Sequence, residues 1–561
     1  PYLVSRIGLA AVNGFQGRKG ALGPNKVVAT LKHFAGHGGP ENGTNIAPAP
    51  YGERTMRETY LFPFEVCVKE GNALCVMASY NEWDGIPSHG NKRLLKGILQ
   101  KEWGFKGYVV GDLGGTEELV TIHHLAQDSM AAAIQSMDAG VDIELIKYNG
   151  CYPALVQLIK DNKFPVEKLD SAVADILRVK FKLGLFENPY ANVEDVERLT
   201  NNARKKELAL LAAQKSMVLL KNENNMLPLN INNVKNLAVI GPNAADIHLG
   251  GYSYEPREGV SVLDGFKKKG EGKFNVLYAR GCGITTDIGS FWKGDSAKQT
   301  DPAEDERLIK EAVVVAKKAD AVVLVLGENE TTNREAWSEK HLGDRDDLNL
   351  IGKQNQLAAA LLATGKPVIV LLLNGRPLSI NFLAQKAPAI LEGWYLGQET
   401  GNAVASVVFG EYNPGGKLPI TFPRSVGQLP AFYNKKPSRH RSYLFADNGP
   451  LFPFGHGLSY TTFEYSVLAL SNTKMKADES VNVEVTVKNS GNAMGEEVVQ
   501  LYIRDKVSSV TRPVMELKGF ARISLSPGES KRVSFPVNKN HLWFYNQQME
   551  RVVEPGEFEI M

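Results

Sequence analysis

The sequence predicts a multidomain α/β protein that ends in a β-sandwich. Residues 26–150 alternate short apolar strands with helices, which is the β-α-β order of a parallel sheet. A second run of this kind lies within residues 213–425. Residues 463–561 instead carry short strands in which apolar and polar residues alternate, as in a β-sandwich. The chain of 561 residues has room for three or four domains at roughly 150 residues each.

The first domain, residues 1–188, is predicted to contain parallel strands joined by helices. The strand candidates are Val27–Phe34, Ala73–Ser79, Gly107–Gly111 and Val141–Leu145. The helix candidates are Met56–Glu70, Leu94–Glu102, Ser129–Ala139 and Val166–Gly184. In the last of these, apolar residues recur at helical spacing and the final glycine marks the end of the helix.

A linker over residues 189–212 is predicted to lead into the second domain, residues 213–425. A helical connector is expected over Glu194–Met226, polar at first and then rich in Ala and Leu. The strands of the second domain are predicted at Leu237–Ile240, Ala321–Leu326, Val368–Leu373 and Ala389–Glu392, and its helices include Leu308–Ala319 and Gln354–Thr364.

Residues 426–462 form a linker rich in Pro, Gly, Tyr and Arg, which we expect to wrap over the surface. The last domain, residues 463–561, follows it. Its strands are predicted at 481–487, Val498–Ile503, Leu517–Ile523 and Val533–Val537, and turn signals separate them.

Composition and charge exclude several classes of function. A net charge of +2 without a prominent Lys/Arg run gives no argument for a nucleic-acid partner. No uninterrupted apolar stretch approaches the roughly 20 residues that a membrane span needs. The four cysteines show neither CxxC nor zinc-finger spacing, so we predict packed thiols rather than a disulfide framework.

Two histidine pairs, His33 with His37 and His123 with His124, raise the question of a metal site. A pair spaced four residues apart binds metal when it lies on a helix near a third ligand. The glycines around His37 favour a loop instead. The sequence therefore predicts no metal.

Asp112 is the most informative residue of the chain. It follows the predicted strand Gly107–Gly111 directly and precedes Leu113-Gly114-Gly115. Barrel enzymes of the α/β class keep their chemistry at the carboxyl ends of strands. Because Asp is also a favoured helix N-cap, position alone leaves both interpretations open.

The ends of two other predicted strands favour the functional interpretation. Lys32-His33 closes the first strand, and a lysine and a protonated histidine only donate hydrogen bonds, so they suit a ligand rich in acceptors. Tyr80-Asn81 closes the next strand, shortly after Met77. Aromatic and polar groups on one rim suit a sugar, which has an apolar ring face and many hydroxyl groups.

A long acidic loop follows the predicted strand Ala321–Leu326. Its acidic residues include Glu328, Glu330, Glu335 and Glu339, and Arg334, Trp337, His341 and Arg345 are interleaved with them. Charge runs usually lie in solvent, but loops that mix aromatic and charged residues more often bind ligands. If one of these glutamates met Asp112 at roughly 5–5.5 Å, the pair could cleave a glycosidic bond with retention.

Motifs along nearly the whole chain resemble those of glycoside hydrolase family 3. The segments that carry the resemblance are Thr30–Gly38, Arg57–Glu65, Met77–Asn81, Trp103–Asp112, Asn374–Pro377, Asn413–Pro419 and Phe452–Thr461. The resemblance implies a TIM-like barrel, an α/β sandwich and a C-terminal fibronectin-III-like domain. It also implies an exo-acting retaining β-glycosidase without a cofactor, which is periplasmic or secreted and can form a homodimer.

The resemblance also implies roles for individual residues. Asp112 matches the nucleophile. The pocket for the terminal non-reducing sugar is matched by Lys32, His33, Met77 and Tyr80. Glu335 lies in a segment that resembles an R/H-E-A motif and is our choice for the acid/base, with Glu328, Glu339 and Glu118 as alternatives.

The sequence departs from the family pattern in two respects. Gly111 stands where members usually have Ser, so a hydroxyl contact is absent. Pro1-Tyr2-Leu3 resembles the end of an E-D-P-Y-L segment, so we expect the first half of the barrel, with a sugar-binding Asp and Arg, to lie outside this sequence. Another chain, or a segment not represented here, would supply it.

Three functional hypotheses follow. The first is a β-glucosidase that acts on terminal non-reducing β-D-glucosyl residues. The second is a β-xylosidase of the same family, because the groups that read the sugar near C5 are expected in the absent part. The third is a non-catalytic sugar-binding scaffold, which the half barrel and Gly111 motivate.

Overall fold

A computed structural model describes residues 1–18, 22–23, 25–200, 202–253, 258–286, 297–335, 345–439 and 442–561. The described residues fall into two compact units. The first contains Pro1–Val193, Glu335 and Phe544–Arg551. The second contains Glu194–Arg334, residues 345–543 and Val552–Met561.

A parallel sheet organises the first unit. Its strands are β1 (Thr30–Phe34), β2 (Cys75–Ala78), β3 (Glu82–Trp83), β4 (Ile86–Pro87), β5 (Tyr108–Leu113) and β6 (Ile143–Leu145). Within the described residues, β1, β2, β5 and β6 pair in that order and all in parallel, while β3 and β4 form a short hairpin. The four predicted strands of this domain are therefore present, each with slightly different bounds.

Helices follow the strands of this sheet. They are α1 (Tyr2–Gln16), α2 (Glu53–Thr55), α3 (Phe62–Lys69), α4 (Glu118–Thr121), α5 (Ser129–Ala139), α6 (Ala154–Lys160) and α7 (Val166–Lys182), with π-helical segments at Met56–Leu61 and Arg93–Glu102. Asp128 caps α5 by accepting a hydrogen bond from the amide of Ala131 at 2.8 Å. The core packs Phe34 and Val109 of the sheet against helical side chains such as Leu94.

A larger sheet organises the first part of the second unit. Its strands are β7 (Val218–Asn222), β8 (Asn236–Ile240), β9 (Asn275–Ala279), β10 (Ala321–Gly327), β11 (Val368–Leu373) and β12 (Ala389–Glu392). Among the described residues the order is β7-β12-β11-β10-β8-β9, with β7 antiparallel to β12 and the other pairs parallel.

The helical connector predicted over Glu194–Met226 is wrong in its last part, where β7 forms. The apolar run Val218-Leu219-Leu220 is buried on both faces of the sheet. A short run that is apolar throughout has the same pattern in a buried strand and in a buried helix, so periodicity does not distinguish them. The edge strand β9 was not predicted.

Helices cover both faces of this sheet. They are α8 (Asp195–Leu199), α9 (Ala203–Ser216), α10 (Val262–Gly270), α11 (Pro302–Lys317), α12 (Gln354–Leu362), α13 (Asn381–Lys386) and α14 (Thr400–Val408). Every residue of β10 is buried, and its side chains alternate between two apolar layers, with Val323 in one and Leu324 in the other. Such a strand has a continuous apolar sequence because neither face meets water.

The C-terminal residues form a β-sandwich, as the alternating pattern predicted. Its elements are β13 (Phe463–Tyr465), β14 (Ala469–Leu470), β15 (Ser480–Asn489), β16 (Gly495–Asp505), β17 (Glu516–Leu525), β18 (Ser530–Asn538), α15 (Lys539–Leu542) and β21 (Phe558–Ile560). The strands β19 (Phe544–Tyr545) and β20 (Arg551–Val552) form a separate two-stranded sheet, and β19 belongs to the first unit. In the described residues β15 pairs with β13, β14 and β18, and β16 pairs with β17 and β21. Val483 and Val487 of β15 are buried in the core.

Buried carboxyl groups lie at the carboxyl ends of β10 and β12. Glu328 is fully buried, and its Oε1 lies 3.0 Å from Nη1 of Arg345 and 3.3 Å from Nε of Arg376. Glu392, also fully buried, accepts hydrogen bonds from the Trp394 amide at 2.8 Å and from Asn374 at 3.4 Å. Burial raises the pKa of Glu392 to about 8. Burial raises the pKa of Glu328, and the two guanidinium groups oppose this rise, so we expect removal of its carboxyl group to destabilise the fold.

We expect Glu328→Gln to lower the free energy of unfolding by about 3 kcal/mol, because it removes the buried anion that Arg345 and Arg376 share, while Arg345 keeps Asp347 at 2.8 Å. Chemical unfolding followed by circular dichroism measures this change. Glu306→Gln is the matched control, since it removes an exposed carboxylate 3.0 Å from Lys353, and solvent screening makes the contribution of such a pair to stability small. Equal stabilities of the two variants would contradict a stabilising role for Glu328.

Candidate functional site

Asp112 lies near the end of β5, where the buried strand opens toward solvent. The preceding residues Val109, Val110 and Gly111 are buried, whereas 16% of the Asp112 side chain is exposed. Its Oδ1 accepts a hydrogen bond from the Leu113 amide at 2.8 Å, and its Oδ2 lies 3.2 Å from Nε2 of His33. The carboxylate is thus held by two donors and still reaches solvent.

His33 donates to Asp112 from β1, which is separated from β5 by β2 in the sheet. It lies in β1, and burial lowers its pKa to about 4, an effect that the nearby His37 increases and the charge of Asp112 opposes. At neutral pH the imidazole is therefore uncharged. Its short distance to Oδ2 assigns the remaining proton to Nε2, which donates it to the carboxylate.

His89 supports the backbone of Asp112 and was missed in the sequence. Its buried Nε2 accepts a hydrogen bond from the Asp112 amide at 3.0 Å, and burial lowers its pKa to about 4. A Cβ atom at Gly115 would come within 2.2 Å of the His89 ring, and one at Gly111 within 3.2 Å. A side chain at Gly115 would therefore displace His89, whereas one at Gly111 would make a tight contact with it.

The four predicted sugar-binding residues lie on β1, on β2 and just after β2. The Tyr80 hydroxyl donates a hydrogen bond to the Leu113 carbonyl at 2.9 Å, beside the nucleophile candidate. Met77 is half-buried and pairs with Val110 of β5, and Lys32 is exposed in β1 next to His33. Of the four, His33 contacts Asp112 and Tyr80 contacts its neighbour Leu113.

Asn81 does not belong to that exposed rim. It is fully buried, and its Nδ2 donates to the Ala35 carbonyl at 3.1 Å. The expectation that Asn81 faces a ligand is wrong, because its amide instead ties the end of β2 to the chain after β1.

Glu335 belongs to the first unit, together with Asp112. Its Oε1 lies 3.8 Å from Nε2 of His37, and its Oε2 accepts a long hydrogen bond of 3.5 Å from Nδ2 of Asn45. The interaction with His37 lowers the pKa of this carboxyl group. The side chain is 42% exposed, so it can meet a ligand from solvent.

The alternative acid/base residues have different surroundings. Glu328 is enclosed by its two arginines, with 1% of its side chain exposed, so it has no access to a substrate. Glu118 in α4 is largely buried, and burial raises its pKa to about 7. Glu339 lies outside the described residues, as do Trp337 and His341.

The two histidines that suggested a metal site lie in contact. The ring centroids of His33 and His37 are 4.2 Å apart. In the ranges that the structure describes, no group of three His, Cys, Asp or Glu side chains is arranged to hold a metal ion. None of the helices in those ranges is both long and apolar enough to cross a membrane.

The carboxylate of Asp112 is thus accessible and hydrogen-bonded at the end of a strand. The carboxyl group of Glu335 lies beyond the imidazoles of His33 and His37. A charged carboxylate can act as a nucleophile or a base, and the second group can exchange a proton with a ligand. Aromatic and donor groups at the same strand ends can bind hydroxyl groups.

Comparison with known proteins agrees with this chemistry. Residues 1–179 match the model of the glycosyl hydrolase family 3 N-terminal domain, residues 217–460 match the family 3 C-terminal domain, and residues 497–561 match the fibronectin type III-like domain.

The matches to similar proteins cover the whole length of this chain. A protein of Formosa agariphila named β-xylosidase is 45% identical over 100% of this chain and 77% of its own length. The periplasmic β-glucosidase of Salmonella typhimurium is 39% identical over 100% of this chain and 74% of its own. The solved structure of a β-glucosidase from Erythrobacter marinus superposes with a TM-score of 0.97 at 43% identity, covering 100% of this chain and 75% of that one. With these matches, the chain belongs to glycosyl hydrolase family 3.

Proposed function

We propose that this protein is an exo-acting retaining β-glycosidase that hydrolyses terminal non-reducing β-D-glucosyl residues. The observation that carries the proposal is the carboxylate of Asp112, which is accessible at the end of β5 and held by Leu113 and His33. The names of the similar β-glucosidases support the choice of sugar.

In the first step, an oxygen of Asp112 attacks the anomeric carbon while the glycosidic C–O bond breaks. The electron pair of that bond goes to the leaving oxygen, which takes a proton from the acid. In the second step, the same acidic group, now ionised, removes a proton from water. The water oxygen attacks the anomeric carbon, and the ester bond to Asp112 breaks with return of the carboxylate.

We assign the acid/base role to Glu335. In support, its carboxyl group is exposed to solvent, and a chain of side chains through His37 and His33 links it to Asp112. Because its pKa is lowered, Glu335 suits the base in the second step and must regain a proton before the first. Glu118, with a pKa of about 7, is the competing assignment.

We further propose that the sugar pocket is completed by polypeptide outside this sequence, and that the protein is periplasmic or secreted. The parallel pairing of β1, β2, β5 and β6 supports the first proposal, because it repeats the pattern of a barrel. The similarity to a periplasmic β-glucosidase supports the second. A homodimer stays a prediction, which light scattering can test.

The β-xylosidase alternative is favoured by the relative from F. agariphila. For the full-length enzyme, we expect kcat/KM for p-nitrophenyl β-D-glucoside to exceed that for the β-D-xyloside by at least about 10-fold, since a contact to the extra hydroxymethyl group contributes more than 1 kcal/mol. The reverse ratio would establish the xylosidase. Failure to turn over any aryl glycoside would favour a sugar-binding scaffold.

We expect Asp112→Ala to abolish turnover, because no other group in the proposal can form the ester. Activity is measured on p-nitrophenyl β-D-glucoside, and retained folding is checked by circular dichroism. Asp170→Ala, at an exposed position of α7, is the matched control and should keep full activity. Mass spectrometry after treatment with a 2-deoxy-2-fluoro glucoside should locate the sugar on Asp112, and labelling elsewhere would refute the assignment.

We expect Glu335→Gln to reduce kcat/KM by about 10²–10⁴-fold for glucosides with poor leaving groups, the usual contribution of a general acid. Dinitrophenyl glucosides need no proton, so their glycosylation rate should change little. Glu118→Gln and Glu328→Gln should not produce this dependence on the leaving group. If Glu118→Gln alone produces it, Glu118 is the acid and our choice is wrong.

A further inference from the structure

Glu335 is contacted by the segment that follows β1. Asn45 Nδ2 donates to Oε2 at 3.5 Å, and Nε2 of His37 faces Oε1 at 3.8 Å. The two nitrogen atoms lie near different oxygens of one carboxylate. Their contacts therefore restrict the rotation of the carboxylate as well as its position. Both donors lie in the segment that follows β1, the strand that carries His33.

His37 and Asn45 are themselves held in place. The His37 ring packs on His33, with centroids 4.2 Å apart and planes tilted by 40°. Its Nδ1 is buried and has no hydrogen-bond partner among the described residues, which leaves Nε2 as the nitrogen that faces a partner. Asn45 is 6% exposed, and its Oδ1 likewise finds no partner within the described ranges. Within the described residues, Glu335 is the only side-chain hydrogen-bond or ion-pair partner of His37 and of Asn45.

The position of Glu335 needs such support. It follows β10 outside any helix or strand, and a free glutamate side chain has many rotamers, whose restriction costs conformational entropy. A proton must pass between this carboxyl group and an oxygen at hydrogen-bond distance, and small displacements of a catalytic group can cost about 10²-fold in rate.

We propose that His37 and Asn45 are positioning residues, which hold the carboxyl group of Glu335 in the geometry for proton transfer. This inference rests on the acid/base role given to Glu335 under the proposed function. The segment after β1 then has two tasks in the reaction. His33 orients the carboxylate of Asp112, and His37 with Asn45 orients that of Glu335.

The test is the dependence of kcat/KM on the leaving group in the full-length enzyme. We expect His37→Leu and Asn45→Ala each to lower kcat/KM by about 10-fold or more for alkyl and phenyl glucosides, which need the proton. For dinitrophenyl glucosides the change should stay within about threefold, because their first step needs no acid. His37→Gln keeps an N–H donor and should recover part of the loss.

Two further comparisons separate positioning from a general loss of structure. In the Glu335→Gln background, His37→Leu should have almost no further effect on poor substrates, since residues that act through one group are not additive. His124→Asn changes an exposed histidine of the same unit and should leave every rate unchanged. The thermal midpoint of each variant is recorded alongside the rates.

Equal losses for good and poor leaving groups, or losses that multiply with that of Glu335→Gln, would overturn the inference. If Glu335→Gln shows the leaving-group dependence and His37→Leu and Asn45→Ala do not, the positioning role fails while the proposed function stands. If Glu335→Gln itself lacks the dependence, the acid/base assignment fails and the positioning role fails with it.

Discussion

The two hydrogen bonds to the Asp112 carboxylate, from Leu113 and His33, are the interactions on which the rest of the site depends. A buried strand places this residue at its carboxyl end, where one oxygen binds the next amide and the other faces His33. Burial keeps the imidazoles of His33 and His89 uncharged. They therefore fix the side chain and the backbone of Asp112 by hydrogen bonds, without placing a full positive charge beside the group that we propose as the nucleophile.

Four carboxyl groups of this protein fall into two classes of surroundings. Glu328 and Glu392 are enclosed at the ends of β10 and β12, where arginines or amide donors compensate them and no ligand has access. Asp112 and Glu335 keep part of their surface in solvent and are each bound by neighbouring donors. Exposure, rather than residue type, distinguishes the two enclosed carboxyl groups from the two that we propose to react with a sugar.

Much of the fold could be predicted from the sequence because its signals are local. The strand that carries Asp112 and the alternation in β15 follow from the order of apolar and polar residues alone. The strand β7 could not be predicted in this way, since a short run buried on both sides has no distinctive period. His89 was missed for a related reason, because a single buried histidine has no local pattern and only the adjacent glycines mark the space it fills.

By itself, the sequence determined the chemical groups and the strand ends that carry them, because side-chain chemistry and strand periodicity are properties of neighbouring residues. Only the tertiary structure decided which groups meet. It turned Asn81 inward, enclosed Glu328 between two arginines and brought Glu335 to His37 and Asn45. These contacts join residues as far apart in the chain as His37 and Glu335, and their distances depend on how whole elements pack.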